Sequence, residues 1–469
     1  MMRVSARLPA FILLFLTLLV PLAWAQANGF VSERVIILWS KAIMQVDGPA
    51  GYTSTDAFFP PLPFVLSIAL QWVSGGTAVP IPFLLSASIG AMMLMMWYSN
   101  LRVNGGISTL SSCLAVALLA LNPFFLRVLA EGPESVLTLM GTWLFARGIV
   151  NLRLTGNAPD MMKVAVGLLV VALSNAYGLL LCLGALPFMI VAARPSMLVA
   201  SSVGYLIAMF YPVVAAVLSL LFISKIFDSA LIPLLTEAPV EIPLQSHLVI
   251  LAGLVPMALV AVMRNMLIPH YMMPLLAAFG TVCGAYWLNS MLHVESDPTL
   301  AIAPMLAVLA VSIRFWPQLA LREPIILALL ALGLVLSLSS LRANPIAETR
   351  NWFYALAGSK VEGHELTQDV VSFLDGKDGI MVDVERNPEI VSQIGEIQNL
   401  IVAGHTVYDW ALEGGILRAE YVLVQNTSDQ TIETDRILRR YPALSDNRMP
   451  SYSQVFSNVR WRVFKRVES

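Results

Sequence analysis

Charge is scarce in this chain. Only 12% of its 469 residues are Asp, Glu, Lys or Arg, while 58% are hydrophobic and mean hydropathy is +0.76. Soluble globular domains carry about 25% charged and about 45–50% apolar residues, so a wholly aqueous protein is excluded. Cysteine is nearly absent: Cys113, Cys182 and Cys283 each sit inside an apolar run, with no CxxC and no clustered histidine. That excludes a disulfide framework and any metal site evident from spacing, and leaves three small apolar side chains for packing. No basic tract points to nucleic acid. No Gly-rich nucleotide loop precedes a helix, no HExxH occurs, and no Ser-His-Asp arrangement stands out, so ATP hydrolysis has no motif here. The apolar segments also hold too few charges for a proton-coupled pump, and no internal repeat or low-complexity tract is present.

What the chain does have is a succession of apolar runs. A bilayer span needs about 20 apolar residues, and backbone inside lipid must be helical or part of a closed barrel. These runs do not alternate, which excludes a barrel. About eleven spans are predicted, near 8–25, 79–98, 109–129, 134–151, 161–176, 178–193, 197–223, 246–263, 266–288, 299–316 and 323–341. The segment Ser174-Asn175-Ala176-Tyr177-Gly178 is a slim turn between two of them. Met1–Ala25 also has the features of a cleaved signal peptide: Arg3, Arg7, an apolar stretch and Ala23-Trp24-Ala25 before Gln26. The uninterrupted apolar run to Ala25 favours an uncleaved first helix.

Charge distribution orients the spans. Residues 1–341 hold 14 of the 28 Lys and Arg but only 12 of the 30 Asp and Glu. Threaded from a cytoplasmic N-terminus, the loops read as cytoplasmic contain Arg102, Arg147, Arg153, Lys163, Arg194, Arg264, Arg314 and Arg322, against only Asp160 and Glu323. This is the positive-inside bias. It predicts a multi-pass protein of the inner (cytoplasmic) membrane with its C-terminus outside. Chemistry is then expected among the outer carboxylates.

Two stretches are not spans. In the first outer loop, about 26–78, Val31, Val35, Ile36, Leu38, Ile43 and Met44 recur at helical spacing with Glu33, Arg34, Lys41 and Asp47 interleaved. That predicts an amphipathic helix in the interface, followed after Pro60-Pro61-Leu62-Pro63 by a short apolar helix over Phe64–Val73. After Leu341 the balance becomes that of a soluble protein. Gly379–Val384, Glu420–Gln425 and Val459–Val467 read as strands and Pro388–Ile401 as a helix. The expected organisation is thus a polytopic α-helical membrane domain over 1–341 and a small extracytoplasmic α/β domain over 342–469.

Four constellations carry the candidate chemistry. Glu33 with Arg34 opens the interfacial helix, as a general base or metal ligand, or as a carboxylate favoured by the helix dipole. Asp56 lies in the run Tyr52 to Leu62, as a functional acid or a turn cap. Arg127, Glu131 and Glu134 bracket a helical hairpin, where Arg127 offers forked donors suited to phosphate; the alternative is a surface ion pair. His270 and Tyr271 follow Arg264 within a span, and a lone intramembrane histidine is more often hydrogen-bonded than catalytic.

Taken in order, these features resemble the GT-C superfamily of integral-membrane glycosyltransferases, in particular the protein O-mannosyltransferase and lipid A aminoarabinose transferase type. Ser32-Glu33-Arg34 stands at the acidic motif after the first span, and Phe59-Pro60-Pro61-Leu62 at the proline segment. Arg127 through Glu134 stands at the second acidic hairpin, and His270-Tyr271-Met272-Met273-Pro274 at the late basic-aromatic-proline run. The family commonly has Asp where this chain has Ser32, a basic residue where it has Phe59, and Asp where it has Glu131 or Glu134. The resemblance covers most of 1–341. It implies a polyprenyl-phosphate-linked sugar as donor and a lipid, glycan or protein as acceptor. It further implies Glu33, Glu131 and Glu134 as catalytic residues, with Glu33 deprotonating the acceptor. Arg34, Tyr52, Asp56, Arg127, His270 and Tyr271 are implied in substrate binding, and a divalent cation, if any, on Glu33, Glu131 or Glu134.

Two other readings remain open. The departures at Ser32 and Phe59 suit a non-catalytic subunit with the same fold, whose Tyr408, Trp410, Tyr421, Tyr441 and Tyr452 would form an interface unless they fill the small domain's own core. A lipid or polysaccharide transporter is the third, although it lacks repeat symmetry.

Overall fold

The computed structural model describes residues 4–48, 60–77, 79–192, 195–227, 248–249, 251–256, 258–259, 269–292, 294, 302–313, 320–361, 364–394, 397–426 and 435–467. Tyr52 and Asp56 lie outside them. The helices in the first half are α1 (Val4–Ala27), α2 (Glu33–Asp47), α3 (Pro61–Ser74), α4 (Ile81–Ser99), α5 (Thr109–Ala120), α6 (Pro123–Ala130), α7 (Pro133–Thr155), α8 (Ala158–Ala172), α9 (Ala176–Ala192) and α10 (Pro195–Phe227). There follow α11 (Pro269–Leu292), α12 (Ile302–Ile313), α13 (Arg322–Ala343), α14 (Ala347–Leu356) and α15 (His364–Leu374). The rest is β1 (Ile380–Val382), α16 (Pro388–Gln393), β2 (Leu400–Ile401), α17 (Thr406–Leu412), β3 (Tyr421–Gln425), α18 (Arg436–Arg440), β4 (Tyr452–Ser457) and β5 (Trp461–Arg466).

The expected helical membrane character holds. Among the described residues six helices are long and apolar enough to cross a membrane, or seven if one bent pair is a single span. Shorter apolar helices lie at Pro61–Ser74, Ala176–Ile190 and Ile302–Ile313. The described residues therefore give six or seven long spans where the sequence predicts eleven. The run 109–129, read as one span, is instead α5 and α6 meeting at a 53° bend. The cause is local: Pro123 cannot continue a ladder of hydrogen bonds, and the Asn122 side chain accepts from the Phe124 N–H at 2.9 Å, starting a new helix.

The chain forms two compact units, and their division differs from the one expected at 341. The first comprises 1–28, 58–63 and 82–359; the second comprises 29–57, 64–81 and 360–469. In the first unit α7 packs on α8 and α12, and α9 on α11. Hydrocarbon gives apolar helices no solvent-driven reason to associate, so close backbone approach matters. A Cβ placed on Gly167 would stand 2.7 Å from both the Gly141 carbonyl oxygen and the Phe145 nitrogen, so the α7–α8 seam requires glycine there. Residues 342–359 stay with this unit because α14 docks on α1: Trp24 Nε1 donates to the Leu356 carbonyl at 3.3 Å and Asn28 Nδ2 to that of Ala355 at 3.2 Å. The turn before α5 is tied to the start of α13. Glu323 accepts from the Ser108 N–H at 2.9 Å and from the Ser108 and Ser111 hydroxyls, both at 2.6 Å.

The second unit is a five-stranded sheet in the order β2-β1-β3-β5-β4. The strands β2, β1 and β3 run parallel, and β5 pairs antiparallel with β3 and β4. Side chains alternate across a strand, so the sheet has two cores. Ile380, Val382, Leu423 and Val463 lie on one face with Val370, Leu374 and Ile390; Met381, Val422, Val424 and Phe464 lie on the other with Tyr408, Ile437 and Leu438. Met44 of α2 belongs to the first of these cores, which is why the first loop joins this unit. Gln71 Nε2 donates to Asp47 Oδ2 at 3.0 Å, and Leu38 packs on Phe64, joining α3 to α2. The sequence-predicted strands are β1, β3 and β5. The helix predicted over Pro388–Ile401 stops at Gln393, and its last residues form β2. Tyr408, Tyr421 and Tyr452 are buried within the domain, while Trp410 stays exposed beneath Arg418.

A branched side chain at the glycine seam is expected to be disruptive. Gly167→Val should destabilise the first unit by about 1–3 kcal/mol through overpacking, read as a lowered thermal midpoint of the detergent-solubilised protein. The control is Val166→Ala, on the exposed side of α8, which should leave the midpoint unchanged within error.

Candidate functional site

The hairpin at 121–134 is built from two breaks in helical continuity. Its short helix α6 is buried along its whole length. Gly132, at φ +97°, then takes a conformation that a side chain would strain, and Pro133 enters α7 in the first helical turn, where its missing N–H costs nothing. This geometry places Arg127 one turn before Glu131 on α6 and Glu134 in the first turn of α7. All three are buried: Arg127 is 0% exposed, Glu131 2% and Glu134 9%.

Arg127 Nη2 forms an ion pair with Glu131 Oε1. The same nitrogen lies 3.9 Å from Oε1 of Glu348, in the first turn of α14, whose side chain is 35% exposed. The approach of α14 is set by Asn344, whose Oδ1 accepts the Ile346 N–H at 2.9 Å and turns the chain between α13 and α14. The first turn of α7 is braced separately. Thr138 Oγ1 donates to the Glu134 carbonyl at 2.8 Å and receives Asn175 Nδ2 at 3.0 Å. Taking a guanidinium and a carboxylate out of water costs several kcal/mol per ion, so a buried pair is weak evidence for stability. Its chemical capacity is clearer: a fixed, forked guanidinium has donors that match an oxyanion or phosphate as they match a carboxylate.

The structure thus holds Arg127, Glu131 and Glu134 in one buried hairpin, where the sequence reading placed them at the outer surface, and adds Glu348 beside Arg127. Sequence reading missed Glu348 because it falls past the last apolar run, in a stretch assigned to the soluble domain. Its signal was the pattern Asn344-Pro345 followed by an acid three residues on. Glu33 and Arg34 open α2 in the second unit, with Glu33 exposed in the first turn after the buried Ser32. His270 and Tyr271 lie in the first turn of α11. As for a divalent cation, no group of three His, Cys, Asp or Glu converges among the described residues, and the Glu131 carboxylate is engaged by Arg127. The donor set does not fit a metal.

A second charged cluster, unforeseen from sequence, sits where β1 and β3 end. Asp383 Oδ2 accepts the Arg436 N–H at 3.1 Å, and Arg436 Nη2 pairs with Glu385 at 2.8 Å. Asp435 is fully buried and caps α18, its Oδ1 accepting from Ile437 and Leu438 at 2.8 and 3.1 Å. Burial, reinforced by the negative charge of Asp383, pushes the Asp435 carboxyl up to about 6 despite those two N–H donors.

No protein-family model matches this chain, and no curated protein matches it with significant similarity.

Two outcomes follow from these charges. Breaking one side of the buried pair removes the other's ion-pair partner in that pair, so Arg127→Met or Glu131→Leu alone should cost about 3–5 kcal/mol, and the double variant should cost less than either; denaturation of all three gives the cycle. For Asp435 the folded-state value lies above its ordinary 3.8, so the neutral acid favours the fold. That stabilisation is complete below about pH 4 and is lost as pH rises through about 6. Asp435→Asn should therefore match the native chain at pH 4 and exceed it by about 2–3 kcal/mol above pH 7, measured by denaturant unfolding across that range.

Proposed function

We propose that this chain is an integral-membrane glycosyltransferase of the GT-C type, moving a sugar from a polyprenyl-phosphate donor to a lipid, glycan or protein acceptor at the outer membrane face. The observation that carries the reading is Arg127: a guanidinium with no solvent exposure, at a break between apolar helices, with Glu131 beside it and Glu348 at 3.9 Å. Ionisable groups among apolar helices are costly and are by default functional.

In the proposed reaction the acceptor oxygen attacks the anomeric carbon and loses its proton to the base. The bond from that carbon to the phosphate oxygen breaks, and its electron pair stays on the phosphate. Arg127 meets the charge where it develops, the kind of preorganised stabilisation that contributes most to catalysis. Glu131 holds the guanidinium in place, and Glu134 orients the acceptor. The resemblance supplies Glu33 as the base, and its exposed side chain at the start of α2 is kept as the carboxylate that a base requires.

Transfer from a panel of undecaprenyl-phosphate-linked sugars, followed by mass spectrometry of the lipid product, tests the proposal. Turnover of one donor is expected, with Glu33→Gln lowering the rate by at least about 100-fold, the scale of a lost general base. Full activity of that variant would remove Glu33 from the mechanism. Lack of turnover and of donor binding would favour the non-catalytic subunit.

A further inference from the structure

The site around Arg127 is closed in a particular way. Glu131 sits at the C-cap of α6, one turn from Arg127 and 2% exposed, so it has no room to withdraw. Glu348 differs in each respect. It comes from another helix, its side chain is 35% exposed, and its Oε1 is itself shielded from solvent on the side of Arg127. It therefore stands between the guanidinium and water. At 3.9 Å the contact is longer than the roughly 2.7–2.9 Å of a charge-assisted hydrogen bond, so the attraction is coulombic and the carboxylate is held loosely. The backbone behind it is firm: Trp352 is fully buried, and Trp24 and Asn28 hold the far end of α14. Rotation of the Glu348 side chain toward solvent is then sufficient to open the site.

Charge balance says which group yields. A phosphate arriving at Arg127 would meet Glu131 and Glu348 together, and like charges at this depth repel strongly. One carboxylate must leave, and of these two only Glu348 has water to leave into. We propose that Glu348 is a resident counter-anion that holds the phosphate position at Arg127 and is displaced when the phosphate of a lipid-linked donor binds. The proposal rests on the reading above that Arg127 receives that phosphate. It makes Glu348 a positioning residue whose charge sets donor affinity: it occupies the second anion position beside the Arg127–Glu131 pair between turnovers and returns to expel the spent lipid phosphate.

The test is binding of decyl phosphate and of the uncharged decyl glucoside to the purified full-length protein, native and with Glu348→Gln or Glu348→Asp, alongside the transfer assay. Glu348→Gln keeps the shape and removes the charge, and should bind decyl phosphate about tenfold more tightly, within the usual range of coupling between two sites for one partner. Glu348→Asp keeps the charge and should stay near native affinity. Decyl glucoside should bind all three alike, which a merely structural change would not leave untouched. Equal decyl phosphate affinity in native and Glu348→Gln would overturn the displacement while leaving Arg127 as a phosphate site. Failure of all three to bind decyl phosphate would overturn both. Tighter binding by Glu348→Gln without sugar transfer from any donor would uphold the displacement and count against the transferase.

Discussion

Backbone in hydrocarbon has no water to bond, and much of this molecule follows from that constraint. Each break in a helix must bring its own hydrogen-bonding solution. At 121–123 the solution is an asparagine cap and a proline; at 131–133 it is a left-handed glycine and a second proline. Together these breaks cut out α6, a helix too short to span anything, and seal it inside the first unit. The candidate site lies on that fragment. A continuous helix through this region would have no free end at which a guanidinium meets carboxylates from its own helix and from α14.

The same logic separates what could be read in the sequence from what could not. Helical character, the slim turn before α9 and the hairpin residues were legible because Pro, Gly and Asn act on their immediate neighbours. Strands β1, β3 and β5 were legible from short β-branched runs bounded by polar residues. The bend at Asn122 was missed because hydropathy averages over a window and does not register one capping side chain. β4 was missed because it lies at the sheet edge with mostly exposed side chains, which removes the apolar alternation. Glu348 and the Asp383–Asp435 pair were beyond reach for a different reason. Both depend on contacts between residues far apart in the chain, and the Asn344-Pro345 turn before Glu348 does not say what that acid meets.

The two charged clusters make a physical contrast. Around Arg127 a cation is surrounded by carboxylates, and burial is offset by attraction. Around Asp435 burial and the nearby Asp383 act together, and the Asp435 carboxyl keeps its proton up to about pH 6. The second makes the fold of the domain sensitive to acidity.

The place of Met44 in the core of the sheet domain has a consequence for how the protein is made. Met44 and Val370 share one hydrophobic cluster, although one lies in the first loop and the other beyond the last apolar helix. During synthesis α2 leaves the ribosome long before any strand it will pack against. Its apolar face must wait, through the insertion of all the intervening helices, for residues 360–469 to arrive. Contacts of such sequence separation form late and slowly, so this core is completed last. Only a chain that has brought both segments together can close this core.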